Sequence, residues 1–136
     1  MGDRDSRRLT VNMKVNVKEQ MLADIICIAM EGGIGYWLSA DEYHTKGLDD
    51  GHPDTVLATV REIDDNGEPT GDAIRITTNT IYAGICIMLL DDSCCRDDIR
   101  RIVQMSLVDP DNAADIDSEV ADVIVQLGLF GRLVYG

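Results

Sequence analysis

The sequence predicts an α+β fold in two layers: a four-stranded, mainly antiparallel sheet with helices on one face, in the order β-α-β-β-β-α-α-α. Three observations carry this. Apolar residues alternate with polar ones near the N-terminus and again between residues 34 and 77, the period of a half-buried strand. Helical stripes cover residues 18–31 and most of the chain after 78. A strong turn signal, Asp64-Asp65-Asn66-Gly67, joins two of the alternating segments directly, and so short a link demands an antiparallel pair. The 136 residues suit one domain.

Residues 1–7 read as a frayed tail. The first strand is expected over 8–17, with Leu9, Val11, Met13, Val15 and Val17 on one side and Thr10, Asn12, Lys14 and Asn16 on the other. The first helix follows over 18–31, with Met21, Leu22, Ile25, Ile26, Ile28 and Ala29 as its apolar stripe. Gly32 or Gly33 ends it in a left-handed cap. Residues 34–44 read as a second strand, with Ile34, Tyr36 and Leu38 inward and Trp37 and Tyr43 outward. A polar loop spans 45–54. A third strand over 55–64, with Val56, Ala58 and Val60 on one side, and a short fourth over 73–77 form the hairpin.

Three helices complete the chain. The first runs over 79–90 from a cap at Thr78 or Asn79, with Ile81, Ile85, Met88 and Leu89 apolar. The second runs over 94–108 from a cap at Ser93, with Ile99, Ile102, Val103 and Leu107 apolar, and Pro110 stops it. The third runs over 116–129 from Asp115 or Asp117, with Val120, Val123, Ile124 and Leu127 apolar, and ends near Gly128 or Gly131. If helices cover one face only, the other is open. It then carries Arg61, Arg75 and Trp37, the single Trp, and an exposed Trp points to a contact site.

Charge is the strongest compositional fact. Twenty-five acidic residues face twelve basic ones, a net charge of −13. Nineteen of the acids are Asp. Residues 24–72 carry −10 and residues 91–122 carry −7, while the other segments are slightly basic. Such a chain repels a nucleic-acid backbone and suits a basic protein surface. Short Asp side chains on a rigid frame resemble a row of phosphates, which makes Asp49, Asp50, Asp64, Asp65, Asp91, Asp92, Asp97, Asp98, Asp109 and Asp111 candidate partner-binding residues, with Trp37 beside them. The plain counter-reading is that these acids solubilise the chain, cap helices and decorate turns.

No catalytic set, metal signature or cofactor motif stands out, so no catalytic residue, metal or cofactor is expected. Residues Glu31 to Trp37 are rich in Gly, but run from helix to strand where a phosphate loop runs from strand to helix. The stretch from Asp109 to Val120 lacks the Gly and the terminal Glu of a calcium loop. His44 and His52 lie in or beside an acidic loop that reads as solvated. Cys27, Cys86, Cys94 and Cys95 form no CxxC pair, and a reduced state is expected. No run approaches the ~20 apolar residues of a membrane span, and the polar N-terminus lacks a signal-like apolar segment. A cytoplasmic protein is expected.

Three strings carry a resemblance: Glu31-Gly32-Gly33-Ile34-Gly35-Tyr36-Trp37, Thr78-Asn79-Thr80-Ile81-Tyr82-Ala83-Gly84-Ile85, and the segment from Asp122 to Gly136 with Leu129-Phe130-Gly131 and Leu133-Val134-Tyr135-Gly136. Together they resemble a family of small phage and prophage proteins over most of the chain. The resemblance implies a phage-borne accessory protein in the host bacterial cytoplasm. By analogy with other small acidic phage proteins it suggests an inhibitor of host defence, such as an anti-CRISPR protein. The expected function is thus a non-enzymatic inhibitor whose acidic surface occupies a nucleic-acid-binding site, with a CRISPR effector or other defence complex as partner. The alternatives are a small-molecule or nucleotide-signal binding protein or enzyme, with its pocket near Gly32 to Trp37 and His44, and a phage assembly protein.

Overall fold

The computed structural model describes residues 17–43, 55–109 and 115–136. Among these the fold is α+β: a three-stranded antiparallel sheet in the order β1-β2-β3 and four α-helices. Helix α1 spans Glu19–Gly32, and a 3₁₀ turn over Ile34–Tyr36 leads into β1, Leu38–Tyr43. Strands β2 and β3 span Val56–Ile63 and Pro69–Thr77. Helices α2, α3 and α4 span Thr78–Leu90, Asp97–Val108 and Ser118–Phe130. The strand expected over 8–17 lies outside the described residues except for Val17, as does the loop over 45–54.

The hairpin forms as the turn signal requires. Asp64 Oδ1 accepts from the backbone N–H of Asn66 and of Glu68, each at 2.9 Å, and Gly67 takes φ 78°. Strand β3 begins earlier than expected, at Pro69, because a bulge carries it past Gly71. Gly71 has φ 68°, and Arg61 Nη1 donates to its carbonyl at 2.9 Å. Val60 opposite Ile74 and Ala58 opposite Ile76 face the core, while Arg61 opposite Ser39 and Arg75 opposite Thr59 face away. A second irregularity between Val56 and Ala58 turns Leu57 inward and leaves Val56 partly exposed.

Helix starts differ from expectation in two places. Thr77, not Thr78 or Asn79, caps α2: its hydroxyl accepts from Thr80 N–H, and Thr77 N–H donates to the Thr80 hydroxyl, a reciprocal capping box. Thr78 is buried and bonds Thr55 instead. Ser93 does not cap α3, because its N–H and hydroxyl both donate to Asp91 Oδ1, at 2.9 and 2.7 Å. Asp117 caps α4 as expected, accepting from Val120 N–H at 3.0 Å, and Gly131, φ 73°, ends it. Gly33 is extended, not left-handed, with φ 173°. Its neighbour Gly32 instead packs on Ser118, where a Cβ would come within 2.5 Å of the Ser118 Cβ.

The core lies between the sheet and α1, α2 and α4. Trp37 belongs to it, 1% exposed, which corrects the expectation that it faces outward. The 3₁₀ turn delays the strand until Leu38, so the alternation assumed from Ile34 onward does not apply, and Trp37 falls at the bend. Tyr36, expected inward, is 53% exposed for the same reason.

Helices α2 and α4 meet backbone to backbone. A Cβ on Gly84 would come 2.2 Å from the Ile124 carbonyl oxygen, and one on Gly128 would come 2.0 Å from that of Thr80. Gly84→Ala and Gly128→Ala must push the helices apart, so each should cost about 1–3 kcal/mol or more. Gly35→Ala, with nothing within 4 Å of its Cβ position, should stay within about 0.5 kcal/mol. Denaturant unfolding followed by circular dichroism checks the ordering. Equal stability of all three variants would contradict the close crossing.

Candidate functional site: a buried carboxylate beneath a cleft

Helix α4 is enclosed from Val120 to Leu127, and two polar residues, Asp122 and Gln126, are buried within this run. They are one helical turn apart and so share a face. Asp122 Oδ1 accepts from Trp37 Nε1 and from Gln126 Nε2, each at 2.9 Å, and Oδ2 accepts from the Tyr36 hydroxyl at 2.6 Å. Every donor is neutral, and no described cation pairs with Asp122. Tyr36 is the last residue of the 3₁₀ turn and Trp37 its C-cap, so both leave the chain at the end of the turn that reaches Asp122.

Gln126 extends the network to the C-terminal segment. Its Oε1 accepts from Val134 N–H at 2.9 Å and Tyr135 N–H at 2.8 Å, and its Nε2 donates to the Tyr135 carbonyl at 3.3 Å. The Tyr135 ring stacks on Trp37 with centroids 4.8 Å apart and 12° between planes, and Phe130 leans on Trp37 at 5.7 Å. The Tyr135 hydroxyl donates to Glu62 on β2. Sheet, turn, helix and tail are thereby tied at one point.

Above this point lies a cleft of about 430 Å³. Tyr36, Asp122 and Gln126 line its floor side, Ile99, Val123 and Leu133 its apolar wall, and Arg96 and Glu119 its charged rim. Arg96 is already engaged by Asp98 and Glu119, which ties the N-terminus of α3 to that of α4. Cys95 also lines the cleft. Its Sγ lies 3.7 Å from that of Cys94, and burial, then the neighbouring Cys94, pushes its thiol up to about 12. A thiol so rarely ionised is a poor nucleophile. No group of three or more metal-ligating side chains occurs among the described residues.

The sequence-predicted residues divide. Asp49, Asp50 and Asp111 lie outside the described residues, with His44 and His52. Asp64 builds the hairpin turn and Asp65 is exposed beside it. Asp91 holds the turn after α2, and the bonds from Ser93 lower its pKa. Asp92 is exposed in the same turn. Asp97 and Asp98 occupy the first turn of α3, where negative charge is favoured by the helix dipole. They line a shallow hollow with Asp115, beside Arg101, Ile102 and Met105. Asp109 ends α3. Trp37 is not a surface residue. Asp122 and Gln126 are absent from the sequence-derived candidates, although two polar residues one turn apart on an apolar helix are a readable signal, and Tyr36 entered only within the Gly32 to Trp37 string of the small-ligand alternative.

No family model, curated protein or solved structure matches the chain. No helix among the described residues is long and apolar enough to cross a membrane.

Removing the carboxylate leaves buried donors unpaired, at roughly 1–3 kcal/mol each. Asp122→Ala should therefore destabilise by several kcal/mol, as measured by denaturant unfolding. Asp122→Asn should cost clearly less, because its carbonyl oxygen still accepts from Trp37 and the Tyr36 hydroxyl rotates to accept from its amide. Equal losses would show that the hydrogen bonds do not matter.

Tyr36 supplies a pH test. Partial burial, then the bond to the Asp122 carboxylate, pushes its phenol up from 10.0 to about 12. Above pH 10.0 the unfolded chain loses this proton while the folded one keeps it, so stability should fall between pH 10.0 and about 12. Tyr36→Phe should flatten that part of the stability curve. An unchanged slope would remove Tyr36 as its cause.

Proposed function

We propose that the chain is a binding protein that presents an acidic face to a basic, nucleic-acid-binding surface of another protein. One observation carries this reading: Asp97, Asp98, Asp115 and Glu119 gather where the N-termini of α3 and α4 adjoin, on a chain of net charge −13. Asp91 and Asp92 precede them in the adjacent turn. Arg96, Arg100 and exposed Arg101 lie nearby, but three bases against Asp91, Asp92, Asp97, Asp98, Asp115 and Glu119 leave the region net negative. Arg96 is held by Asp98 and Glu119, and Arg100 is mostly buried, with its Nε donating to the Met88 carbonyl at 3.0 Å. A basic groove that receives these acids releases its own counterions, as it does when it binds nucleic acid.

The resemblance to phage and prophage proteins directs the search for the partner to bacterial defence, with RNA-guided CRISPR effectors first, in the host cytoplasm. In this reading the face bearing Arg61 and Arg75 stays open. The competing small-ligand reading for a nucleotide signal gains a cleft at Tyr36. The described charges lining that cleft are Arg96, Glu119 and Asp122, net negative, which disfavours a phosphate-bearing ligand.

The test is binding to a panel of purified CRISPR effector complexes at rising salt, with and without their target DNA. Binding should weaken with salt and compete with DNA. Asp92→Lys with Asp97→Lys should reduce affinity at least tenfold, while circular dichroism shows the fold retained, since neither side chain holds a turn. Asp64→Lys with Asp65→Lys examines the hairpin tip separately. Failure to bind any member, or binding indifferent to salt and DNA, overturns the reading. Self-assembly on sedimentation without such binding favours a structural phage protein instead.

A further inference from the structure

The carboxylate of Asp122 is 8% exposed, lines the cleft and accepts from neutral donors only. Burying a charge without an opposite charge is costly, and hydrogen bonds offset only part of that cost. The other described charges of the cleft, Arg96 and Glu119, pair with each other. One negative charge is thus left over at the floor side, beneath an apolar wall of Ile99, Val123 and Leu133.

We propose that this cleft is a binding site for one organic monocation, an ammonium head on an aliphatic stem. The head belongs at Asp122 and the stem along the apolar wall. Asp122 Oδ1 already receives two donors and Oδ2 one. The carboxylate therefore cannot take the two parallel bonds of a guanidinium fork, but one lone pair on Oδ2 remains for a single N–H. An ammonium carries three donors. The Ser118 hydroxyl and the Glu119 carboxylate, both lining the cleft, supply acceptors for the others. A lysine side chain has this chemistry, and so does a free alkyl amine. The site shares Glu119 with the acidic face, but its charge is that of Asp122, which the acidic-face reading does not use.

Trp37 reports on the site directly, since it is the single Trp and its indole N–H donates to Asp122. The experiment follows the indole N–H resonance of the whole chain during titration with N-acetyl-lysine methylamide and, separately, n-butylammonium. N-acetyl-norleucine methylamide and matched sodium chloride serve as controls. A saturable shift with a cationic probe and none with the controls is expected. Saturation by the blocked lysine assigns a protein-borne lysine, and saturation by butylammonium alone assigns a free amine. Asp122→Asn should weaken binding roughly tenfold or more, the loss of a charged hydrogen bond. Leu133→Lys is the second variant, at a residue 40% exposed, so that the fold does not depend on it. Its own ammonium should fill the cleft and abolish binding of either probe. Three results overturn the proposal: no saturable shift with either cation in the folded chain, an equal shift with the norleucine control, or unimpaired binding by Leu133→Lys. None of them bears on the salt and DNA dependence that tests the acidic face.

Discussion

Helix α4 is enclosed from Val120 to Leu127, so everything on it must be matched from inside the protein. An ordinary surface helix buries one stripe and leaves its polar groups to water. Here that escape is closed around the central turns except where Asp122, Val123 and Gln126 line the cleft. On the α2 side the match is steric, with Gly84 and Gly128 each set against a backbone carbonyl of the other helix. On the tail side it is polar. Asp122 and Gln126 meet solvent only at the cleft, and Trp37, Tyr36, Val134 and Tyr135 provide their partners. The tail follows from this constraint: Gln126 holds two of its backbone N–H groups, which places Tyr135 on the Trp37 ring.

The same constraint explains what the sequence disclosed. Helix patterns were legible because their stripes are long and the matching faces are buried, as with Ile81, Ile85 and Met88 on α2. The hairpin was legible because Asp64 and Gly67 form their turn locally, without tertiary help. Residues 34–37 were not. Ile34, Tyr36 and Leu38 alternate with the period of a strand, yet the chain makes a 3₁₀ turn and Trp37 goes inward. The reason is remote: an indole N–H and a phenol are both needed at Asp122, 85 and 86 residues away. Local periodicity carries no trace of that demand. The other half of the site was within reach, because Asp122 and Gln126 interrupt an apolar stripe one turn apart. Reading the stripe for its apolar members alone hides them. The Thr77 cap shows a smaller version of the difficulty. Thr77, Thr78 and Thr80 are equivalent as local signals, and Thr78 is excluded only because it bonds Thr55 across the strand.

The acidic residues also divide by what holds them. Asp64, Asp91 and Asp117 accept from backbone N–H groups of turns or helix starts, so local structure already accounts for them. Asp65 and Asp92 are the second members of two doublets and have no such bond to explain their place. Asp97 and Asp98 stand between these cases, favoured by the α3 dipole yet exposed to solvent. The doublets Asp64-Asp65 and Asp91-Asp92 thus each give one carboxylate to the fold and leave the other outward. That division makes the charge of this chain more than a bulk property, since the outward carboxylates inherit the rigidity of the turns built by their neighbours. Asp122 follows neither pattern. It caps nothing and is nearly enclosed, and its charge is met by dipoles alone. The interior holds a carboxylate where a neutral Asn or Gln would satisfy much of the same bonding, and a cation arriving through the cleft is the partner that this charge lacks.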